Sequence, residues 1–195
     1  MTVPVLWDRE SGRVVSNESS DIILMLNSEF DRWGDAGVDL YPEELRPRID
    51  ELSAWVYENV NNAVYQAGFA ESQEAYERAY RRVFDALPEL DRRLAGSRFL
   101  LGDRITMADW RLWVTLVRFD SVYHTHFRCN GARVTDFPNL WGYTRDLYQQ
   151  PGVAETVDMD QIKRHYYTTH DMLNPKRIIP AGPEQLDFAA PHGRG

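Results

Sequence analysis

The sequence predicts a mainly α-helical protein that opens on a β-hairpin and a short helix, and three observations carry that reading. Apolar residues recur at spacings of three and four in the middle of the chain, first as Leu45, Ile49, Leu52, Val56 and Val60 and then as Tyr76, Tyr80, Val83, Leu87, Leu90 and Leu94. The opening stretch VPVLWDRESGRVVS instead sets two apolar runs, Val3 to Trp7 and Arg13 to Val15, on either side of a polar loop containing Gly12. With 195 residues, the chain is long enough for one sizeable domain, or one domain with a small appendage, without covalent staples.

A lone hairpin cannot bury its own faces, so the first segment is expected to dock on something else. Asn17 or a neighbouring serine is placed to cap a helix through Ile22, Ile23, Met25, Leu26 and Phe30. From Asp31 to Pro42 the glycines and acidic residues lack periodicity and read as a linker. The two apolar stripes beyond Pro42 form an antiparallel pair, and Pro88 inside the second is expected to kink or divide its helix. In Ile105-Thr106-Met107-Ala108-Asp109-Trp110, Thr106 caps the next helix and Asp109 reaches back to the Thr106 amide. That helix continues through Leu112, Leu116, Phe119 and Val122 with apolar residues on several faces, which predicts the most buried helix of the fold. Pro138 opens another helix that Gln150-Pro151-Gly152 closes, and Asp158 to Gln161 has the spacing of a further cap. Beyond Asn174 the text is rich in proline and glycine and reads as an extended tail, frayed at its end.

Composition bounds the partners. A formal net charge of −8 offers no basic surplus to displace counterions, so neither nucleic acid nor an anionic membrane is an expected partner. A single cysteine, Cys129, rules out an internal disulfide framework, and with no apolar leader or long apolar span the expectation is a cytoplasmic protein. Small molecules or proteins remain, and six tryptophans and ten tyrosines suit either a large core or a pocket for a flat ring.

Several residues carry chemistry. A cis peptide between Val3 and Pro4 would present the Val3 backbone to a peptide-like ligand, although a proline at a sheet edge needs no ligand. Glu18 and Ser19 stand at a helix start, where amides, a hydroxyl and a carboxylate suit an amino-acid head group; ordinary capping explains the same letters. His124, His126, His165 and His170 raise the question of zinc, but no carboxylate or thiolate completes the spacing, and no metal is expected. Cys129 reads as inert packing. Tyr65, Tyr123 and Tyr166 all fall near helix ends and could converge on one cavity, with aromatic core packing as the plain alternative.

The stretches VPVLWD, NESSDII, DLYPEELR, NNAVYQAGFA, SQEAYE, LVRFDSVYHTHF, NLWGYTRDLYQQPGVAETVDMDQIKRHYY and NPKRIIPAGP together resemble the glutathionyl-hydroquinone reductases, or Xi-class glutathione transferases, from about residue 2 to 183. The resemblance implies that residues 1–30 match the later half of a thioredoxin-like glutathione-binding domain. A linker follows over 31–42, then a glutathione-transferase C-terminal helical bundle over 43–173 and a tail over 174–195. It also implies that the earlier half, with a Cys-Pro-Trp-Ala motif, is not in this sequence. In the family that cysteine attacks the sulfur of a glutathionyl-hydroquinone, releases the hydroquinone and leaves a disulfide with glutathione that a second glutathione resolves. The resemblance puts Val3, Glu18 and Ser19 on glutathione, as cosubstrate, and Tyr65, Tyr123 and Tyr166 on the hydroquinone. No catalytic residue is carried over, so the chain is expected to be inactive alone. A homodimer, and a separately encoded thioredoxin-like fragment as partner, complete the expectations; a non-catalytic binding or dimerisation module is the alternative.

Overall fold

The structure is a computed structural model that describes residues 3–184 and 186–195. Two compact units divide the chain, Met1–Ile49 and Asp50–Gly195.

In the first unit, β1 (Leu6–Asp8) pairs antiparallel with β2 (Arg13–Ser16), with Trp7 opposite Val14 and an irregularity between Leu6 and Trp7. The turn closes on Asp8, whose carboxylate accepts from the Glu10 amide at 2.9 Å and from the Ser11 hydroxyl at 2.5 Å. Gly12 supplies the positive φ of 66° that the turn requires. The expected strand from Val3 is shorter than predicted: Val3 and Pro4 lie outside β1. Helix α1 (Ser19–Ser28) starts without a side-chain cap, which corrects the expected role of Asn17. The Asn17 amide instead donates to the Pro4 carbonyl at 2.6 Å. The stretch read as a linker is tied down, because Asn27 on α1 donates to Asp39 at 3.0 Å and accepts from the Leu40 amide at 2.8 Å. A 3₁₀ turn, Glu43–Leu45, leads into α2 (Arg46–Val56), within which the boundary between the units falls.

The second unit is mainly helical. Two wide, π-helical turns shape it: Tyr57–Asn61, leading into α3 (Asn62–Gly68), and Phe119–Tyr123, joining α5 (Met107–Arg118) to α6 (His124–His126). Each interrupts a stretch that periodicity reads as one continuous helix, and the extra residue in a π turn rotates everything after it around the helix axis. The amide of Asn61, in the first wide turn, donates to the Arg111 carbonyl at 2.8 Å and the Thr115 hydroxyl at 2.6 Å, fixing α3 against α5.

Helix α4 (Gln73–Ala95) runs unbroken for 23 residues through Pro88, so the expected division does not occur. Burying Val83, Leu87, Leu90 and Leu94 stabilises it by about 1.5–3 kcal/mol per side chain, which together exceeds the roughly 3 kcal/mol cost of an interior proline. Helix α5 is deeply buried as predicted, with eight of its twelve residues inside. Its cap forms through Asp109, which accepts from the Thr106 amide and hydroxyl, both at 2.8 Å. Helix α7 (Pro138–Tyr148) has its proline in the first turn, and Asp91 of α4 caps it from a distance by accepting from the Asn139 and Leu140 amides at 2.8 and 2.9 Å. In α8 (Met159–Thr169) Asp158 caps as predicted, accepting from the Gln161 amide.

The tail is extended but not frayed at its end. The Arg194 guanidinium donates to the carbonyls of Leu94, Ser97 and Arg98 at 2.7, 2.5 and 3.1 Å, covering the open end of α4. Phe188 stacks on Tyr148, and the intervening backbone accepts from Gln149.

Candidate functional site

Three tyrosines from three separate elements meet in the helical unit. Tyr65 comes from α3, Tyr123 from the last position of the second wide turn, and Tyr166 from α8. The Tyr166 hydroxyl lies 2.5 Å from that of Tyr65 and 2.9 Å from that of Tyr123. Tyr123 and Tyr166 are buried, 1% and 6% exposed, whereas Tyr65 is 36% exposed and is the member that meets solvent. Phe127 backs the group, edge-on to Tyr65 and stacked on Tyr123. Helix α3 reaches Phe127 closely because Gly68 has no side chain: a Cβ there would overlap the Phe127 ring.

Burial pushes the Tyr65 phenol up to about 12, helped by the bond with Tyr166, and burial raises Tyr123 well above its ordinary value. Both stay protonated at neutral pH and act as donors rather than as bases. The half-buried Arg118, at the end of α5, donates to the Tyr166 hydroxyl at 3.4 Å. Burial disfavours its charge, but the neighbouring Tyr123 and Tyr166 hydroxyls win and its pKa is raised. A donor set of neutral phenols backed by a cation suits an oxygen that gains negative charge. Beyond Phe127, His126 and His170 sit ring to ring with Nε2 and Nδ1 3.1 Å apart, and burial holds His126 down to about 4. An open groove of about 790 Å³, lined by Gln66, Phe69, Arg78 and Arg82 among others, lies along α3 and α4 and does not include the three phenols.

In the first unit Val3 is 91% exposed, and its peptide bond to Pro4 is cis. The Asn17 side chain ties the Pro4 carbonyl to the segment that leads into α1, and Glu18 and Ser19 are exposed at the start of that helix. At this helix start the Glu18 amide donates to the Ser16 hydroxyl at 3.1 Å and the Asp21 amide to the Glu18 carbonyl at 3.1 Å, so two of the amides beside Ser19 are already engaged.

Residues 73–146 match the family described as Glutathione S-transferase, C-terminal domain. The glutathionyl-hydroquinone reductase YqjG of Escherichia coli is 53% identical over 194 residues, covering 100% of this chain and 59% of the relative. PcpF of Sphingobium chlorophenolicum, also a glutathionyl-hydroquinone reductase, is 49% identical over 185 residues, 95% of this chain and 59% of its own length. The chain is a homologue of the Xi-class glutathione transferases. Solved structures agree: glutathione-bound YqjG superposes with a TM-score of 0.95 at 53% identity, covering 99% of this chain and 62% of that one. A Xi-class enzyme from Natrialba magadii gives 0.96 at 54% identity, with 99% and 59% coverage. The chain therefore spans about three-fifths of the length of these relatives.

Within this homologue the structure brings Tyr65, Tyr123 and Tyr166 together, and in the other unit it bonds Pro4, the residue after Val3, to Asn17, the residue before Glu18. Of the four histidines weighed for zinc, His126 and His170 hydrogen-bond to each other at 3.1 Å. Cys129 is fully buried and burial pushes its thiol up to about 12, which removes thiolate reactivity at neutral pH. Sequence reasoning passed over Arg118. Its signal is a single cation in the last turn of the otherwise apolar run LWVTLVRF, the most buried helix of the chain.

Proposed function

We propose that this chain carries the glutathionyl-hydroquinone binding half of a glutathione-dependent reductase. The carrying observation is the hydroxyl chain Tyr65–Tyr166–Tyr123, built from residues up to 101 positions apart. In this reading the hydroquinone oxygens sit against the phenols at the Tyr65 side, and Val3, Glu18 and Ser19 hold the glutathionyl moiety. The Val3 backbone takes the cysteinyl unit and the start of α1 the γ-glutamyl carboxylate. Two relatives named as glutathionyl-hydroquinone reductases and one solved with glutathione support it.

Reduction of the thioether needs a thiolate to attack the glutathionyl sulfur. The only cysteine in the 195 residues is Cys129, whose buried thiol is unsuited to that step. The chain is thus proposed to bind on its own and to turn over only with a thioredoxin-like segment bearing Cys-Pro-Trp-Ala, as a homodimer in the cytoplasm. The test is to mix the chain with such a segment and assay hydroquinone release from the thioether. Tyr65→Phe and Tyr166→Phe should each lower the rate by about 10²-fold, the scale of losing one oxyanion donor. A turnover unchanged by either substitution would sink the reading.

A second reading, a non-catalytic binding or dimerisation module, is favoured by the exposed apolar side chains of the first unit, among them Trp7, Val15 and Trp33. Calorimetry separates the two, because a pure scaffold takes up neither glutathione nor its hydroquinone conjugate.

A further inference from the structure

We propose that Arg118 makes the phenol cluster selective for the anionic form of its ligand, so that the hydroquinone oxygen is held and released as a phenolate. The inference rests on reading the cluster as the hydroquinone site and adds the charge state of what it takes.

A guanidinium can only donate, so Arg118 must face acceptors. Buried charges are ordinarily paired with a carboxylate, because desolvating an unpaired ion is costly. Among the described residues no carboxylate pairs with Arg118, and the groups that favour its charge are the hydroxyls of Tyr123 and Tyr166. Phenols that stay protonated do not neutralise a cation. The half-buried positive charge therefore stands behind a row of neutral donors with its counter-charge still to be supplied.

Proton counting gives the direction in which that charge acts. Three phenols carry three protons, and the two bonds to Tyr166 use two of them. Tyr166 oxygen has two acceptor sites; with Arg118 occupying one, it takes a proton from a single tyrosine and gives its own to the other. Tyr123 is 1% exposed and has no outlet to solvent, so it is the donor, and the order Tyr123 to Tyr166 to Tyr65 leaves the Tyr65 proton pointing outward. Each bond in such a chain polarises the next, and a cation at the central oxygen strengthens the outermost donor. The remaining ionisable neighbours do not supply a compensating negative charge. His165 and His170 both lie edge-on to the Tyr166 ring, and His126, which shares a hydrogen bond with His170, stacks on Phe127. On α5's side of the second wide turn, Asp120 is committed to the amides of Val134 and Thr135.

Arg118 is thus a positioning residue for negative charge, and 4-nitrophenol is a suitable probe because its phenolate absorbs visible light. Binding is followed by difference absorbance across neutral pH on the 195-residue chain. The wild-type chain is expected to prefer the phenolate over 4-nitroanisole, its neutral methyl ether, by about 10- to 100-fold, the range for a unit charge roughly 8 Å away, beyond Tyr166 and Tyr65, at an effective dielectric of about 20. Arg118→Gln should abolish that preference and the accompanying drop in the probe's pKa, whereas Arg118→Lys should keep part of both. Equal wild-type affinity for the phenolate and the ether overturns the inference, and this arm needs no variant to fold. A folded Arg118→Gln chain with an unchanged probe pKa overturns it as well. Failure of the underlying site reading looks different: then Tyr65→Phe and Tyr166→Phe leave probe affinity untouched.

Discussion

Replacing Asp109 with alanine tests the most heavily used buried group in the helical unit. Asp109 has no exposed surface and accepts four hydrogen bonds, from the Leu100 amide at 2.9 Å, the Thr106 amide and hydroxyl at 2.8 Å, and the Tyr143 hydroxyl at 3.0 Å. Alanine leaves the Leu100 and Thr106 amides and the Thr106 hydroxyl without this acceptor, while the fully buried Tyr143 hydroxyl keeps the backbone carbonyl of residue 109 at 3.3 Å. At about 1–3 kcal/mol for each stranded donor the gross loss is roughly 3–9 kcal/mol. Part of that returns, because burial already works against the carboxylate charge and holds its pKa above the ordinary value. A net loss of about 4 kcal/mol is expected, a large share of the roughly 5–15 kcal/mol that holds a domain folded. For a chain of this size that lowers the thermal midpoint by roughly 8–16 °C, read by circular dichroism. Asp109→Asn should fall between, since it keeps one acceptor oxygen but turns an amide toward donors. A drop of less than about 1 kcal/mol for Asp109→Ala would show that these bonds are not what holds the loop from Leu100 to the start of α5.

Gly68→Ala should destabilise by about 1–3 kcal/mol in chemical denaturation, despite alanine's better helix propensity, because its Cβ would overlap the fully buried Phe127 ring. His126 is depressed from 6.5 to about 4 in the fold, so it stays neutral there while the unfolded chain binds a proton. Its contribution is present above the unfolded value and is lost as pH falls from about 6.5 through 4; His126→Asn should flatten that part of the thermal midpoint against pH. Arg194→Ala removes the donor that covers the carbonyls of Leu94, Ser97 and Arg98 and should speed protease cleavage of the last residues several-fold, with little change in the core's melting.

Local chemistry alone was enough to place the helices and most of their ends. Thr106 with Asp109, Asp158 with Gln161, and Pro138 in a first turn act through bonds spanning three or four residues, so their letters carry the signal wherever the segment sits. The same locality misled where packing outranked it. Pro88 does not divide α4 because a buried leucine stripe continues on both sides, and Asn17 is drawn from capping to the Pro4 carbonyl. Tyr65, Tyr123 and Tyr166 could be singled out from the text and from the resemblance it bears, but spacing alone favoured core packing. Whether they meet is fixed by two wide turns that rotate the chain by a residue each, and by Asn61 locking α3 to α5. Arg118, the cap that Asp91 lends to α7 and the return of Arg194 onto α4 belong to the same class. Each joins residues 48 to 100 positions apart, and no periodicity of three or four residues can encode which distant partner a side chain will face once the helices have packed.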